Sequence, residues 1–229
     1  MAAIKRFSPA WFLHHGRNNA LVRWLHEDRT LHLVGVPLRA EPVAPPPPDD
    51  FRVNARDDLD RFEPTERWHD RAAFLAGAED SLAEGKLCVT RVIDGQLAFI
   101  AWIRPEQDQA RFGSVGHTVR FPPHTATHFS VYVHPGHRRK GLFVAGLKAV
   151  ISVATHHTET RLLLGAVEGG NTPALKGHLA AGFRPVATLT TRTSLGRRRF
   201  GADRSADGLA WPLTPAGPGV WDLTAEDDR

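Results

Sequence analysis

The stretch VYVHPGHRRKGLF, at residues 131–143, constrains the fold most because it passes from strand to helix through a run of cations. Its first three residues are strand formers, and Pro135 ends the strand because proline cannot donate to a ladder. Three cations, Arg138, Arg139 and Lys140, come directly before Gly141. The run that follows, residues 141–157, is apolar around most of its circumference, which predicts a largely buried helix.

The junction of this strand and helix has the features of an anion site. The first N–H groups of a helix have no intrahelical partner, and the helix dipole adds about half a positive charge there. A glycine at that point lets a ligand approach the backbone, and the three cations add charge. The pattern therefore favours a pyrophosphate cradle. The alternative is a solvated basic turn, but a position between a strand and a buried helix favours the anion site.

The order of elements along the chain predicts a mixed α/β (α+β) fold. A hairpin at residues 87–103 turns at Asp94-Gly95, and its second arm is apolar on both faces, as in a buried strand. Strand, helix and strand patterns at residues 127–133, 141–157 and 161–167 predict a central crossover. Further patterns predict helices at 66–85 and 172–182 and a strand at 186–195. The sum is one mixed sheet flanked by helices.

A proline-rich run, EPVAPPPPDD at residues 41–50, gives the clearest boundary because consecutive prolines fit neither a helix nor an inner strand. We predict an N-terminal segment and linker at 1–44 that packs on the core, a main domain at 49–200 and a tail at 201–229. The segment contains a strand pattern, TLHLVGVPL, and Trp211 and Trp221 predict that part of the tail docks. If the run is a linker, a chain that lacks residues 1–44 should still fold cooperatively.

Composition narrows the class of protein. The 229 residues carry a net charge of +4, with 24 arginines against 5 lysines, which favours an anionic partner without identifying it. The chain lacks an RNP-type aromatic pair, a zinc pattern and a clear helix-turn-helix, which argues against nucleic acid. No apolar run approaches the ~20 residues of a membrane span, and no metal-ligand spacing stands out. Cys88 is the only cysteine, and no signal-peptide pattern is present, so we expect a cytoplasmic protein.

Two motifs resemble those of the GNAT (GCN5-related) N-acetyltransferases. Val133, Pro135, Arg138 and Gly141 fit the pattern V-x-P-x-x-R-x-x-G of their acetyl-CoA loop. Downstream, NTPALKGHLAAGF at residues 171–183 fits the pattern N-x-x-A/S-x-x-x-Y-x-x-x-G-F apart from its tyrosine. The resemblance covers about residues 50–200. It implies a largely antiparallel twisted sheet, acetyl-CoA as cosubstrate, a small-molecule or peptide amine as acceptor, and is compatible with a homodimer.

The resemblance also assigns roles to positions in this chain. It implies that the central strand splays from its neighbour, so that the backbone of Val131, Tyr132 and Val133 binds pantetheine and polarises the thioester carbonyl. It places the remaining cofactor contacts on the following residues: Arg138, Arg139, Lys140, Gly141, Leu142, Phe143 and Asn171.

The sequence departs from the family pattern at three positions. Phe143 replaces a small residue of the loop, where it either narrows the phosphate site or faces the core. His178 replaces the tyrosine that protonates the leaving thiolate, so it is either a general acid or a packing residue. Thr127 replaces a glutamate base, and the neighbouring His128 is a candidate for relaying the proton through water. These departures keep a second hypothesis open, a non-catalytic module that binds acyl-CoA. A basic nucleic-acid-binding protein is a third and weaker hypothesis.

Overall fold

The computed structural model describes residues 26–38, 45–46, 48–66, 69–205, 208–209 and 211–224. The strands are β1 His26–Pro37, β2 Arg52–Val53, β3 Leu87–Ile93, β4 Gln96–Arg104, β5 Gln109–Phe112, β6 His117–Arg120, β7 Thr125–Val133, β8 Leu162–Glu168, β9 Arg184–Ser194, β10 Arg197–Arg204, β11 Leu213–Gly217 and β12 Val220–Leu223. The helices are α1 Arg56–Leu59, α2 Arg71–Ala83, α3 Leu142–His157 and α4 Thr172–Ala181, and a 3-10 turn covers Pro135–His137.

The main sheet has eight strands in the order β10-β9-β1-β8-β7-β4-β3-β2. Among the described strands of this sheet, β7 and β8 form a parallel pair joined by α3, and the other neighbours are antiparallel. A parallel pair needs a crossover connection, and α3 supplies it. The predicted fold class, with its largely antiparallel sheet and central crossover, is confirmed.

The two faces of the sheet are covered by different layers. Side chains of β4 alternate between them: Phe99, Ala101 and Ile103 pack in the cluster under α3 and α4, whereas Ile100 and Trp102 pack under α1 and α2. This alternation is the period of two expected of a strand. The prediction that the second hairpin arm is buried on both faces is therefore correct. Cys88, on β3, is fully buried, and burial raises the pKa of its thiol to about 12.

Strand β1 lies inside the main sheet rather than on its surface. It pairs with β8 over Leu31–Pro37 and with β9 over His26–Gly35, antiparallel in both cases. Residues 26–37 are thus part of the sheet that residues 49–200 form, which argues against a chain divisible at residue 44. The preceding residues of the N-terminal segment, and residues 41–44 and 47 of the proline run, lie outside the described residues.

A second, four-stranded sheet in the order β11-β12-β6-β5 packs against the β1, β8 and β9 side of the main sheet. Trp221 on β12 donates from its indole Nε1 to Nδ1 of His117 on β6 at 2.7 Å. Nε2 of His117 therefore carries the proton and donates to the Thr190 carbonyl oxygen of β9 at 2.9 Å. The packing of Trp211 and Trp221 confirms that part of the predicted tail docks. The second sheet itself was not predicted.

Candidate active site

The central strand β7 separates from its neighbour part-way along its length. It pairs with β8 over Thr125–Thr127, and no ladder joins its later residues to β8. On its other side β7 pairs with β4, where Ile100 lies opposite Tyr132 and Trp102 lies opposite Phe129. Ser130 and Val131 of β7 thus face the single residue Ala101 of β4, which defines a β-bulge. Beyond Thr127, the ladder to β8 thus no longer occupies the backbone groups on this side of β7.

Ser130 lies in this bulge with a left-handed backbone, at a φ of 50°. A non-glycine residue in this region is uncommon, and it costs about 1–2 kcal/mol relative to a right-handed conformation. A β-bulge bends its strand locally, and this one follows the point at which the ladder between β7 and β8 ends. The sequence carries no glycine or asparagine here that would have indicated a left-handed residue.

The loop after β7 is tied back onto the strand. Nε of Arg138 donates to the carbonyl oxygen of Val133 at 3.0 Å. Arg139 and Gly141 have left-handed backbones, with φ values of 62° and 78°, and Gly141 is the N-cap of α3 without a side-chain cap. Left-handed residues beside a helix N-terminus direct successive N–H groups toward one point. Together with three exposed cations, this geometry is suited to an anion.

A groove of about 580 Å³, the α3–α4 groove, runs between the end of β7, this loop and the N-terminal turns of α3 and α4. It brings together nearly all of the predicted cofactor residues. Those on its wall are Val131, Tyr132, Val133, Arg138, Arg139, Gly141, Leu142, Phe143 and Asn171. Lys140 is exposed and does not line the groove. Asn171 also caps α4, because its Oδ1 accepts the Ala174 N–H at 3.2 Å.

Phe143 packs toward α4. A methyl group placed on Gly177 would lie 2.5 Å from Cδ1 of Phe143, so the ring rests directly on that glycine. The ring also meets His178 edge-on, with 5.5 Å between ring centroids. Of the two predicted orientations, the structure favours the one that faces the core, although one side of the ring still forms part of the groove wall.

His128 and His178 form a buried stacked pair under α4, with ring centroids 5.0 Å apart and an interplanar angle of 27°. Phe183 contacts both rings edge-on. The His128 ring also fills the space above Gly165 of β8, where an added methyl group would overlap Nε2. The pair thus fills the interior between β7, β8 and α4.

Burial favours the neutral form of both imidazoles, so neither carries the additional proton that a general acid would donate. It lowers the pKa of His128 to about 3, with a smaller contribution from His178, and it also lowers the pKa of His178. Nδ1 of His178 lies 2.7 Å from the Ala174 carbonyl oxygen and must carry the proton, which leaves Nε2 as a neutral acceptor. Both ring nitrogens of His128 and Nε2 of His178 are buried without a hydrogen-bond partner in the described structure. For both residues the geometry favours packing over proton transfer.

Thr127, which replaces the family glutamate, donates its hydroxyl hydrogen to Oε1 of Gln107. It is therefore held by a neutral partner and offers no base. Two further cavities open on the face of the sheet opposite α3 and α4, and both reach the bulge at Phe129 and Ser130. Sequence analysis missed both cavities, because their walls come from segments that are distant in sequence.

The comparison with protein families agrees with this geometry. The sequence profile described as the acetyltransferase (GNAT) family matches residues 53–183, which is more than half of the chain. The chain belongs to the GNAT family. The resemblance predicted from the two motifs is therefore confirmed, and the matched region contains the bulge, the loop and the α3–α4 groove. A search of curated proteins finds no significant match.

Solved structures of GNAT proteins resemble the fold at low sequence identity. An acetyltransferase of the GNAT family from Colwellia psychrerythraea is 14% identical with a TM-score of 0.53, over 73% of this chain and 56% of that chain. A GCN5-related N-acetyltransferase from Sphaerobacter thermophilus is 15% identical with a TM-score of 0.45, over 89% of this chain and 60% of that one. This GNAT chain thus spans little more than half the length of these two relatives.

A third structure, a Salmonella typhimurium protein solved with its cofactor acetyl-CoA, is 19% identical with a TM-score of 0.40, over 71% of this chain and 98% of that chain. Among the described residues of the present GNAT chain, no helix has the length and apolar character needed to cross a bilayer.

Proposed function

We propose that this GNAT protein transfers an acetyl group from acetyl-CoA to a primary amine. One observation carries the proposal: the α3–α4 groove ends at the bulge, where β7 has separated from β8. A thioester in this groove would reach backbone N–H groups that no ladder occupies. Such groups, fixed before the reaction, stabilise the negative charge that develops on a carbonyl oxygen.

The cofactor contacts follow from the same geometry. We assign the pyrophosphate to the loop 138–143, where Arg139 and Gly141 are left-handed and the first N–H groups of α3 are free of intrahelical partners. We assign the pantetheine to the backbone of residues 131–133. Asn171 and Phe143 then form the wall on the side of α4 and α3.

The transfer itself is a direct displacement. The neutral amine nitrogen attacks the thioester carbonyl carbon, the new C–N bond forms and the C–S bond breaks. The amine loses one proton, and the leaving thiolate takes up one proton. Because His128 and His178 are buried with lowered pKa values, we propose that neither supplies this proton and that solvent in the open groove exchanges it.

The cofactor assignment can be tested by thermal unfolding with acetyl-CoA, longer acyl-CoAs and free nucleotides. Acetyl-CoA at a hundredfold excess over Kd should add about 2.7 kcal/mol to the unfolding free energy. R139E should abolish this shift without unfolding the protein, because Arg139 is exposed. R138E should also abolish it, while R184E, at an exposed arginine of β9, is the matched control and should keep it.

The outcomes separate the hypotheses. Stabilisation by acetyl-CoA together with free thiol release on an amine panel supports the enzyme. Stabilisation without thiol release on any amine supports the non-catalytic binding module. Absence of a shift with every CoA ester contradicts both.

A further inference from the structure

We propose that the acceptor is a cationic amine joined by a short chain to an aromatic ring, and that it binds in a cleft between α2 and the main sheet. This inference rests on the proposed function, because it names the substrate class for the same site. The cleft, here the aromatic cleft, measures about 550 Å³ and lies on the face of the sheet opposite α3 and α4.

The aromatic cleft and the α3–α4 groove meet at β7. Both are lined by Val131 and Tyr132, and the aromatic cleft continues along the bulge to Ser130 and Phe129. A molecule in this cleft therefore reaches the backbone at which a thioester in the groove would end. It approaches from the other face of the sheet, so the two reactants need not compete for one space.

The walls of the aromatic cleft present rings at several angles. Phe62 stacks on Phe74 with 3.9 Å between centroids, and it meets Tyr132 edge-on at 5.9 Å. Trp102 and Phe129 also line the cleft. Aromatic side chains gain from offset and edge-on contacts with another ring. An aryl group is thus the chemical group that this cleft can bury most favourably.

Charge at the rim favours a cation. Asp70 lines the rim, is exposed, and uses Oδ1 to cap α2 by accepting the Ala73 N–H at 2.8 Å. Among the described lining residues none is a lysine or arginine. Lys86 lies 5.7 Å from the centroid of the Phe129 ring, but it is not part of the lining and pairs with Glu84 at 2.8 Å. Asp70 is the one carboxylate among the described lining residues, which also include His69, and it favours an ammonium group over a carboxylate at this end of the cleft.

The other cavity that reaches Ser130, of about 480 Å³, differs in character. Its lining includes the cation Arg104 and the amide Gln107, together with Phe112 of the second sheet. An amine with an aryl group finds less aromatic surface there and meets a like charge. Phe112 is thus a matched control for Phe74, since each is a half-buried phenylalanine on the wall of one of the two cavities.

The test compares 2-phenylethylamine with butylamine and with phenylalanine, using thiol release from acetyl-CoA. We expect kcat/KM for 2-phenylethylamine to exceed that for either competitor at least about tenfold, since even one methylene in an apolar pocket is worth roughly tenfold. F74A should lower kcat/KM about tenfold for 2-phenylethylamine and less than about threefold for butylamine. F112A should change neither. D70N, which keeps a capping side chain, should raise KM with kcat unchanged.

A preference for butylamine or phenylalanine, an equal loss on both amines in F74A, or a selective loss in F112A would overturn the proposal. F74L covers the case in which F74A fails to fold. If acetyl-CoA binds but no amine is acetylated, the proposed function fails. The shift in unfolding temperature caused by 2-phenylethylamine then tests whether the aromatic cleft binds this amine. That shift should appear in the wild type with CoA present or absent and be reduced in F74A, and its absence from the wild type also overturns the inference.

Discussion

At the scale of the residue, the stacked pair of His128 and His178 links burial to the response to acid. Burial lowers both pKa values, to about 3 for His128, whereas an unfolded histidine titrates near its ordinary value of about 6.5. Between these two values the unfolded chain binds more protons than the native protein. The unfolding free energy therefore falls as the pH falls from about 6.5 toward 3, and it is independent of these groups above that window.

We predict that H128L reduces this acid sensitivity. Each buried histidine contributes up to about 1.4 kcal/mol per pH unit within the window. The variant should lose less unfolding free energy than the wild type between pH 6.5 and 4.5, as measured by urea unfolding at several pH values. His117, whose pKa is also lowered by burial, is present in both proteins and cancels in the difference. Parallel pH profiles for the two proteins would show that His128 is protonated in the native state.

Ser130 shows how one backbone conformation shapes the site. S130G removes the left-handed strain but adds freedom to the unfolded chain, so its stability should stay within about 1 kcal/mol of the wild type. S130V places a β-branched residue at a φ of 50° and should cost about 1–3 kcal/mol. By displacing the N–H groups after the bulge, S130V should also lower kcat about a hundredfold, whereas S130G should not. Loss of turnover in S130G would instead assign a role to the hydroxyl.

At the scale of the element, the contact between α3 and α4 sets the shape of the groove. The Phe143 ring rests on Gly177, where any side chain would overlap it. G177A should therefore cost about 1–3 kcal/mol of unfolding free energy and weaken acetyl-CoA binding, because the displaced ring is part of the groove wall.

A double-mutant cycle tests this contact. F143L should relieve the overlap, so that the double variant F143L/G177A loses less stability than the sum of the single losses. G170A, at a glycine with open space around it and no left-handed backbone, is the control and should leave both properties unchanged. Additive losses in the cycle would indicate that the ring moves freely away from α4.

At the scale of the whole molecule, the sheet is completed by a strand from outside the family match. β1 pairs with β8 on one side and with β9 on the other. The loop, the bulge and the α3–α4 groove all lie within residues 53–183, which the family profile matches. The second sheet adds β11 and β12 from the C-terminal end and joins β9 through His117 and Trp221. Both ends of the described chain therefore contribute to the packing around the central strands.

We predict that a chain lacking residues 1–44 does not unfold cooperatively, because β8 then keeps its ladder to β7 over Thr125–Thr127 alone among the described strands. A synthetic peptide of residues 26–38, added in excess, should restore a cooperative transition by circular dichroism. A chain lacking residues 1–25 retains β1 and is the control. Cooperative unfolding of the shorter chain without the peptide would support the boundary predicted at residue 44.

The sequence by itself determined the local features of this protein. Residue periodicity indicated the hairpin, the crossover and the buried helix, because these patterns depend on neighbours within a few residues. Two motifs indicated the GNAT family. They identified the loop residues 138–143 and Asn171, because the residues of each motif lie within one short stretch of sequence. All but Lys140 of these line the groove.

The tertiary structure alone decided the features that join distant segments. The place of β1 depends on which strand edges are free, and the proline run concealed this pairing by indicating a boundary. The environment of His178 depends on His128 and Phe143, which lie on two other segments, β7 and α3. The aromatic cleft combines residues of α2, β4 and β7, and each of these has its own local pattern. The identity of a residue's neighbours and the shape of a cavity arise from packing between elements, and for that reason no local pattern could have indicated them.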